Sequence, residues 1–111
     1  MLPYNPLEIL DYIDRNGDNP YGKWFDSLSG QAAAAVAIAV KRLALGNISN
    51  VKSVGGGIAE CKIDFGPGYR VYFGRDGMRV VILLGGGSKQ RQQNDIRLAQ
   101  VRWADYKLRK G

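Results

Sequence analysis

The stretch YRVYFGRDGMRVVILLGGGSK, residues 69–89, contains the strongest secondary-structure pattern of this chain. Two runs rich in aromatic and β-branched residues flank a short polar connection, which predicts antiparallel strands over residues 69–74 and 78–84. The second run, RVVILL, is apolar on both faces, which is typical of a central strand. The glycines at 85–87 are predicted to end that strand, and a helix is predicted over residues 89–107.

Segments upstream of this stretch extend the sheet. Residues 58–64 alternate apolar and polar side chains, which predicts a third strand of an antiparallel meander. Residues 51–54, VKSV, are followed by three glycines at 55–57, which are predicted to be a flexible connector. Residues 7–13 are compatible with a strand or a helix by periodicity, and we predict a strand.

Two helices are predicted between the first strand and the meander. Asn19 can cap a helix that begins at Pro20 and runs to residue 28, and a second helix over residues 30–45 ends at Gly46. We expect an antiparallel helical hairpin packed on the sheet. The order β-α-α-β-β-β-α predicts a single α+β domain over residues 1–111, with a small, mostly antiparallel four-stranded sheet and a C-terminal helix.

Charge is distributed unevenly along the chain. Residues 1–50 hold four Lys/Arg and five Asp/Glu, whereas residues 51–111 hold twelve Lys/Arg and five Asp/Glu, a net charge of +7 for the second half. A concentrated basic surface is typical of nucleic-acid-binding proteins, because the phosphate backbone dominates their affinity. The alternative is an ordinary solvated surface of a basic protein.

Composition excludes several classes of function. The chain has no histidine and a single cysteine, Cys61, so it predicts no intramolecular disulfide and no zinc site. No catalytic triad, glycosidase carboxylate pair or dinucleotide fingerprint can be assembled. GGGSK at 85–89 lacks the full phosphate-loop pattern, so a turn is favoured there over an anion cradle. No long apolar run or secretory signal is visible, which predicts a cytoplasmic protein without metal, cofactor or membrane partner.

Strand alternation places basic side chains on one sheet face. Glu60 and Lys62 point away from the core, and Arg70 and Tyr72 on the next strand share that face. We expect this face to be open to solvent, with Lys62 and Arg70 close enough to hold one anion. The alternative is a structural ion pair between Arg70 and Glu60 or Asp64, of a kind that contributes little when exposed.

The C-terminal helix carries three arginines in line and two apolar stripes. Arg91, Arg102 and Arg109 project in nearly the same direction at 100° per residue. One stripe would pack on the sheet, which leaves the other without obvious cover. The residues of this second stripe are Leu98, Val101 and Leu108. They are candidates for a partner-binding surface, although apolar residues scattered on a surface are also common.

Three segments together resemble a known family. These are GPGYRVYF at 66–73, VVILLGGGSKQRQQNDI at 80–96, and LALGNISNVKSVGGGIAECKI at 43–63. They resemble the RelE/ParE toxin superfamily and, within it, the HigB-like, phage-related "addiction module killer" toxins. The resemblance is strong over residues 43–107 and weak over residues 7–42, where it rests mainly on element order.

The resemblance implies a four-stranded sheet with two N-terminal helices, a cognate antitoxin, expected to be of the helix-turn-helix type, and cleavage of mRNA on the ribosome. In ribonuclease members a basic cluster on the open sheet face carries the chemistry. The resemblance and the basic face together nominate catalytic residues Arg70, Lys62, Lys52 and Lys89, and RNA-binding residues Tyr72, Arg91 and Arg102.

One departure from the family concerns the general acid. Many ribonuclease members carry a Tyr or His near the start of the C-terminal segment, but residues 88–96 read SKQRQQNDI. Lys89, Arg91 or a ribosomal group would have to donate the proton. The leading hypothesis is a ribosome-dependent, metal-independent mRNA endoribonuclease that inhibits translation. The alternatives are a non-nucleolytic toxin that inhibits DNA gyrase and a basic RNA-binding module.

Overall fold

A mixed β-sheet with helices on both faces forms the architecture of residues 6–111, which the computed structural model describes. The strands are β1 (Glu8–Asp11), β2 (Val51–Gly55), β3 (Ile58–Ile63), β4 (Tyr69–Asp76) and β5 (Val80–Ser88). The helices are α1 (Pro20–Asp26), α2 (Gly30–Ala44) and α3 (Gln92–Lys110), the last preceded by a 3-10 turn (Lys89–Arg91). The α+β class predicted from the sequence is confirmed.

Strand β5 lies in the interior of the sheet, between β1 and β4, as its apolar run predicts. The sheet order is β1-β5-β4-β3-β2, with β1 parallel to β5 and the other neighbours antiparallel. Residues 81–84 are all buried, because helices cover both faces of this strand. The ambiguous N-terminal segment forms the strand β1, whose short parallel pairing runs from Glu8 opposite Val80 to Asp11 opposite Leu83.

The prediction of a four-stranded sheet is wrong, because the segment before the glycine triplet is also a strand. Val51 pairs with Cys61 and Lys52 pairs with Glu60, so this segment forms a fifth strand at the sheet edge. Positive φ angles at Gly55, Gly56 and Gly57 of 91°, 67° and 82° form the turn into β3. This strand could not be predicted from the sequence. An exposed edge strand has no buried face, so its side chains show no hydrophobic alternation.

The prediction that Gly85, Gly86 and Gly87 end the last strand is also wrong, because all three lie within β5. Because these glycines have no side chain, large side chains from the helices on both faces of the sheet can pack against β5. A Cβ atom at Gly86 would lie 2.3 Å from the Trp24 ring, and one at Gly87 would clash with the Asp95 carboxylate. The triplet is therefore a packing requirement of a doubly covered strand.

Helices α1 and α2 cover one face of the sheet, as predicted. Tyr21 and Val36 pack there with Val71, Phe73 and Leu83. The α1 cap follows the sequence signal, because Asn19 Oδ1 accepts a hydrogen bond of 2.8 Å from the Gly22 amide and Pro20 follows directly. No helix within residues 6–111 combines the length and apolarity needed to cross a membrane.

Helix α3 covers the opposite face. Ala99 and Trp103 are buried against Tyr72 and Ile82 on this side. The C-terminal end of α3 is held by Asp105, whose carboxylate accepts hydrogen bonds from the side chains of Tyr12, Arg15 and Arg109. These hydrogen bonds hold the pKa of Asp105 well below its usual range. The helix is thereby fixed across the sheet at both its middle and its end.

Candidate functional site

The sheet face beneath α3 carries a polar cluster. Backbone register places Glu60 opposite Tyr72 and Lys62 opposite Arg70. Because directly opposed residues of antiparallel strands point to the same face, all four side chains lie on the α3 side, as strand alternation predicts. Lys62 and Arg70 are thus cross-strand neighbours.

The prediction that this face is open to solvent is wrong for Arg70 and Tyr72. Arg70 and Tyr72 are 7% and 0% exposed, and Ala99 and Trp103 of α3 pack against Tyr72. Tyr72 therefore cannot stack on a nucleobase in this conformation, contrary to the sequence-based expectation. Burial, together with the nearby Glu60 and Asp95 carboxylates, raises the pKa of the Tyr72 hydroxyl.

Glu60 is the charged centre of the cluster. Its side chain is 2% exposed, and Gln92 of α3 donates a hydrogen bond of 2.9 Å to Oε1. Arg70 Nε lies 3.5 Å from Oε2, and Lys52 Nζ lies 3.8 Å from the same oxygen. A buried carboxylate is costly unless cations and hydrogen bonds compensate it. Glu60 thus joins β2, β4 and α3 through one carboxylate.

The ion pair between Arg70 and Glu60, the structural alternative considered from the sequence, is present in the structure. This ion pair does not satisfy all the hydrogen-bond donors of the guanidinium group. Within residues 6–111, neither Nε nor Nη1 of Arg70 has a hydrogen-bond acceptor. Buried donors without partners are rare in folded proteins and often mark a site for water or a ligand. Arg70 is therefore held beside Glu60, with Nε facing that carboxylate and Nη1 buried without an acceptor.

Arg70 reaches a surface pocket of about 330 Å³ at the end of the β3–β4 hairpin. The pocket is lined by the hairpin turn, three cations and one carboxylate: Lys62, Asp64, Phe65, Gly66, Pro67, Gly68, Arg70 and Lys89. The Lys89 amide donates a hydrogen bond of 3.1 Å to the Gly68 carbonyl, which joins the turn to the start of α3. We call this the cationic pocket.

The cationic pocket is suited to an anion. It contains three of the four residues predicted to be catalytic, namely Lys62, Arg70 and Lys89. Lys62 and Lys89 form no ion pair with any of residues 6–111, and Arg70, which is paired with Glu60, lines the same pocket. A forked guanidinium beside two ammonium groups is a common arrangement for binding a phosphate group.

Lys52, the fourth predicted catalytic residue, does not reach the cationic pocket. It belongs to the edge strand β2 and lies opposite Glu60. Its side chain lines a different depression, with Gln92 and Arg97 of α3. Lys52 therefore contacts Arg70 only through their shared Glu60 oxygen.

The three arginines predicted to line α3 are placed differently from one another. Arg91 is exposed and lines a depression with Lys89 and Arg97. Arg102 is half-buried and donates a hydrogen bond of 3.0 Å from Nη1 to the Leu84 carbonyl, and burial lowers its pKa. Arg109 binds Asp105 and the Ile13 carbonyl. Contrary to the prediction, the three arginines do not form one exposed basic row, because Arg102 and Arg109 anchor α3 to the rest of the fold.

The second apolar stripe of α3 lies on the surface. Leu98, Val101 and Leu108 are 40%, 63% and 73% exposed. The first stripe, which includes Ala99 and Trp103, packs on the sheet, so the two flanks of the helix differ as expected. These three side chains remain accessible to a partner.

Sequence reasoning missed two residues of the polar cluster, Gln92 and Asp95. Both residues lie in the first turn of α3. The sequence pattern does not predict which polar residues of this turn face the sheet. Asp95 Oδ2 is buried without a hydrogen-bond donor among residues 6–111, and burial raises the pKa of its carboxyl despite Arg91 and Arg102. The glycines of β5 are the available signal, since Gly87 leaves space for Asp95.

Comparison with known proteins places the chain in a family. No family model matches it. A Haemophilus influenzae protein described as an uncharacterized protein is 42% identical over 82 residues, which cover 73% of this chain and 83% of the relative. The chain belongs to that protein's family. The relative's description names no activity, so function has to be inferred from the site.

We expect Glu60 and Arg70 to be energetically coupled. Arg70→Ala should lower the free energy of unfolding by about 1–3 kcal/mol, because a buried carboxylate loses one of its partners. Glu60→Gln should also destabilise. The double variant should cost less than the sum by about 0.5–3 kcal/mol, measured by urea denaturation. Arg79→Ala, a change at an exposed arginine outside the cluster, is the control. Additive costs would show that the pair is not coupled.

Proposed function

We propose that this protein is the toxin of a type II toxin–antitoxin pair and cleaves mRNA on the ribosome without a metal ion. One observation carries the proposal: Lys62, Arg70 and Lys89 line one pocket that holds a single carboxylate, Asp64. The resemblance of residues 43–107 to the RelE/ParE superfamily supports it. The net charge of +7 on residues 51–111, from twelve basic and five acidic residues, also favours an RNA substrate.

In the proposed reaction, the 2′-hydroxyl of a nucleotide attacks the adjacent phosphorus. An O2′–P bond forms and the P–O5′ bond breaks, through a phosphorane that carries more negative charge than the substrate. Arg70, which lines the pocket, would bind the non-bridging oxygens through its guanidinium, and Lys62 would add a second positive charge. Donors fixed in position before the reaction stabilise such charge most effectively, and the buried Glu60 fixes Arg70.

Two protons must move in this reaction. Asp64 is the one carboxylate that lines the pocket and would accept the proton of the 2′-hydroxyl. Lys89 lines the same pocket and would donate a proton to the departing O5′. Among the acids considered from the sequence, Arg91 lies outside the pocket lining, which favours Lys89. The product would carry a 2′,3′-cyclic phosphate.

A second candidate function is binding and inhibition of DNA gyrase. The specific observation in its favour is the absence of an ordinary proton donor near neutral pH, since the chain has no histidine and Tyr72 is buried. In this case the cationic pocket would bind the target without cleaving it. A basic module that only binds RNA is the third possibility.

The cationic pocket can be tested with its two exposed lysines. We expect Lys62→Ala and Lys89→Ala each to reduce ribosome-dependent cleavage of a reporter mRNA by about a hundredfold, because each removes charge stabilisation or a proton donor. Both should relieve growth arrest on expression in bacteria. Since both side chains are exposed, their melting temperatures should match wild type. Arg79→Ala, at the opposite end of β5, should cleave normally.

Assays of wild type and the two lysine variants also distinguish between the three candidate functions. Cleavage by wild type that persists in both lysine variants would contradict the site assignment. Inhibition of gyrase supercoiling without RNA cleavage would establish the second candidate. RNA binding with neither effect would leave the third.

We further propose that the antitoxin binds the stripe formed by Leu98, Val101 and Leu108 with an amphipathic acidic segment. The stripe is exposed, and basic residues of α3 surround it, which suits an acidic partner. A segment continuing toward Lys89 would cover the cationic pocket and exclude RNA. Inhibition would then require no change in the toxin fold.

The double change Leu98→Asp and Val101→Asp should weaken this complex by about 2–4 kcal/mol, because exposed apolar anchors become charged. Circular dichroism should show a folded variant, since neither side chain is in the core. The measurement is calorimetric titration with the antitoxin, which we would seek in the adjacent reading frame. Met78→Asp, at another exposed apolar residue, is the control. A folded double variant with full affinity would place the antitoxin elsewhere.

A further inference from the structure

Two further depressions adjoin the cationic pocket at Lys62. One, of about 320 Å³, shares Lys62, Asp64 and Phe65 with the cationic pocket. The other, of about 130 Å³, shares Lys62, Arg42 and Asn50 with the first. All three depressions share Lys62, so they are neighbours along the surface between the hairpin turn and the end of α2. We call the part on the α2 side the side trough.

The topology explains why this trough is open. Strand β2 begins at Val51, which pairs with Cys61, so the last residues of β3 extend past the end of their edge partner. The Asn50 carbonyl accepts a hydrogen bond of 2.9 Å from the Lys62 amide, which closes the pairing at this point. The chain before Asn50 then leads back to α2. A gap remains between the end of α2 and the end of β3.

The side trough combines a cation, polar groups and an apolar floor. Arg42 is exposed and forms no ion pair with any of residues 6–111. Asn47 and Ser49 contribute an amide and a hydroxyl, and Ala39 and Ile38 form part of the wall nearest α2. A strand of RNA needs these same elements, which are charge for phosphates, hydrogen-bonding groups for sugars and apolar surface for bases.

Phe65 lies between the cationic pocket and the side trough and lines both of them. Its backbone is fixed, because its amide donates to the Ile63 carbonyl at 3.0 Å and its carbonyl accepts from the Gly68 amide at 2.9 Å. The half-buried ring also packs against the core beneath α2. A fixed, partly exposed aromatic ring beside a phosphate pocket is suited to stacking on a nucleobase.

We propose that the side trough binds the nucleotide next to the phosphate held in the cationic pocket, with its base on Phe65 and its outer phosphate on Arg42. The inference rests on the proposed ribonuclease function and adds a second substrate contact on the opposite side of Lys62. RNA fits better than an acidic peptide, because the trough adjoins the cationic pocket and shares the aromatic residue Phe65 with it. A peptide carboxylate would use Arg42 but gain little from Phe65.

The test uses fluorescence anisotropy with a labelled 2′-O-methyl RNA hexanucleotide, which binds but lacks the attacking hydroxyl. Phe65→Leu keeps an apolar side chain and should weaken binding at least about fivefold through lost stacking. Arg42→Ala should reduce the slope of log K against log salt by about 0.7, the loss of one phosphate contact on a single strand. Lys41→Ala is the matched control, since it removes an equally exposed charge from the same turn of α2.

Each outcome decides the proposal. Weaker binding in both trough variants, with Lys41→Ala equal to wild type, supports it, provided that circular dichroism shows folded protein. If Lys62→Ala loses binding but Arg42→Ala and Phe65→Leu do not, the side trough does not bind RNA. The cationic pocket then remains the RNA-binding site. Failure of wild-type protein to bind the hexanucleotide overturns both. If poly-L-glutamate binding responds to Arg42→Ala as RNA binding does while Phe65→Leu changes neither, the trough is an acidic-peptide site and the nucleotide assignment is wrong.

Discussion

The contact between Glu60 and Arg70 is the constraint on which the rest of the structure depends. A buried carboxylate must be compensated, and Glu60 draws its partners from three elements: Lys52 on β2, Arg70 on β4 and Gln92 on α3. Helix α3 can cover this sheet face only because these charges are matched. The glycines of β5 supply the space that the covering side chains need, as Asp95 against Gly87 shows.

Stability alone does not explain a charged cluster in this position. A buried ion pair contributes little compared with apolar residues of the same volume, whereas removing one partner is costly. Arg70 has donors with no acceptor among the residues that the structure describes, so the cluster is incompletely satisfied from within. This is the pattern expected where a side chain is held in place for a ligand. In the proposed function that ligand is an RNA phosphate.

The sequence predicted local features better than tertiary ones. Alternation along two strands placed Lys62 beside Arg70, because a period of two follows directly from strand geometry. It did not predict that α3 buries Arg70 and Tyr72, since helix docking depends on packing across the whole sheet. It also missed β2, whose exposed edge position leaves no apolar pattern. Lys52 was assigned to the catalytic group from the family resemblance, but its strand places it opposite Glu60 and away from the cationic pocket.

The most direct test is heteronuclear NMR of the Arg70 Nε–H group during titration with the 2′-O-methyl RNA hexanucleotide. The account predicts a slowly exchanging Arg70 signal in the free protein, because the group is buried beside Glu60. It further predicts a large shift of this signal on RNA binding, with smaller shifts at Lys62 and Lys89. RNA-induced shifts confined to the far end of α3, with the Arg70 signal unchanged, would show that the cationic pocket does not bind RNA.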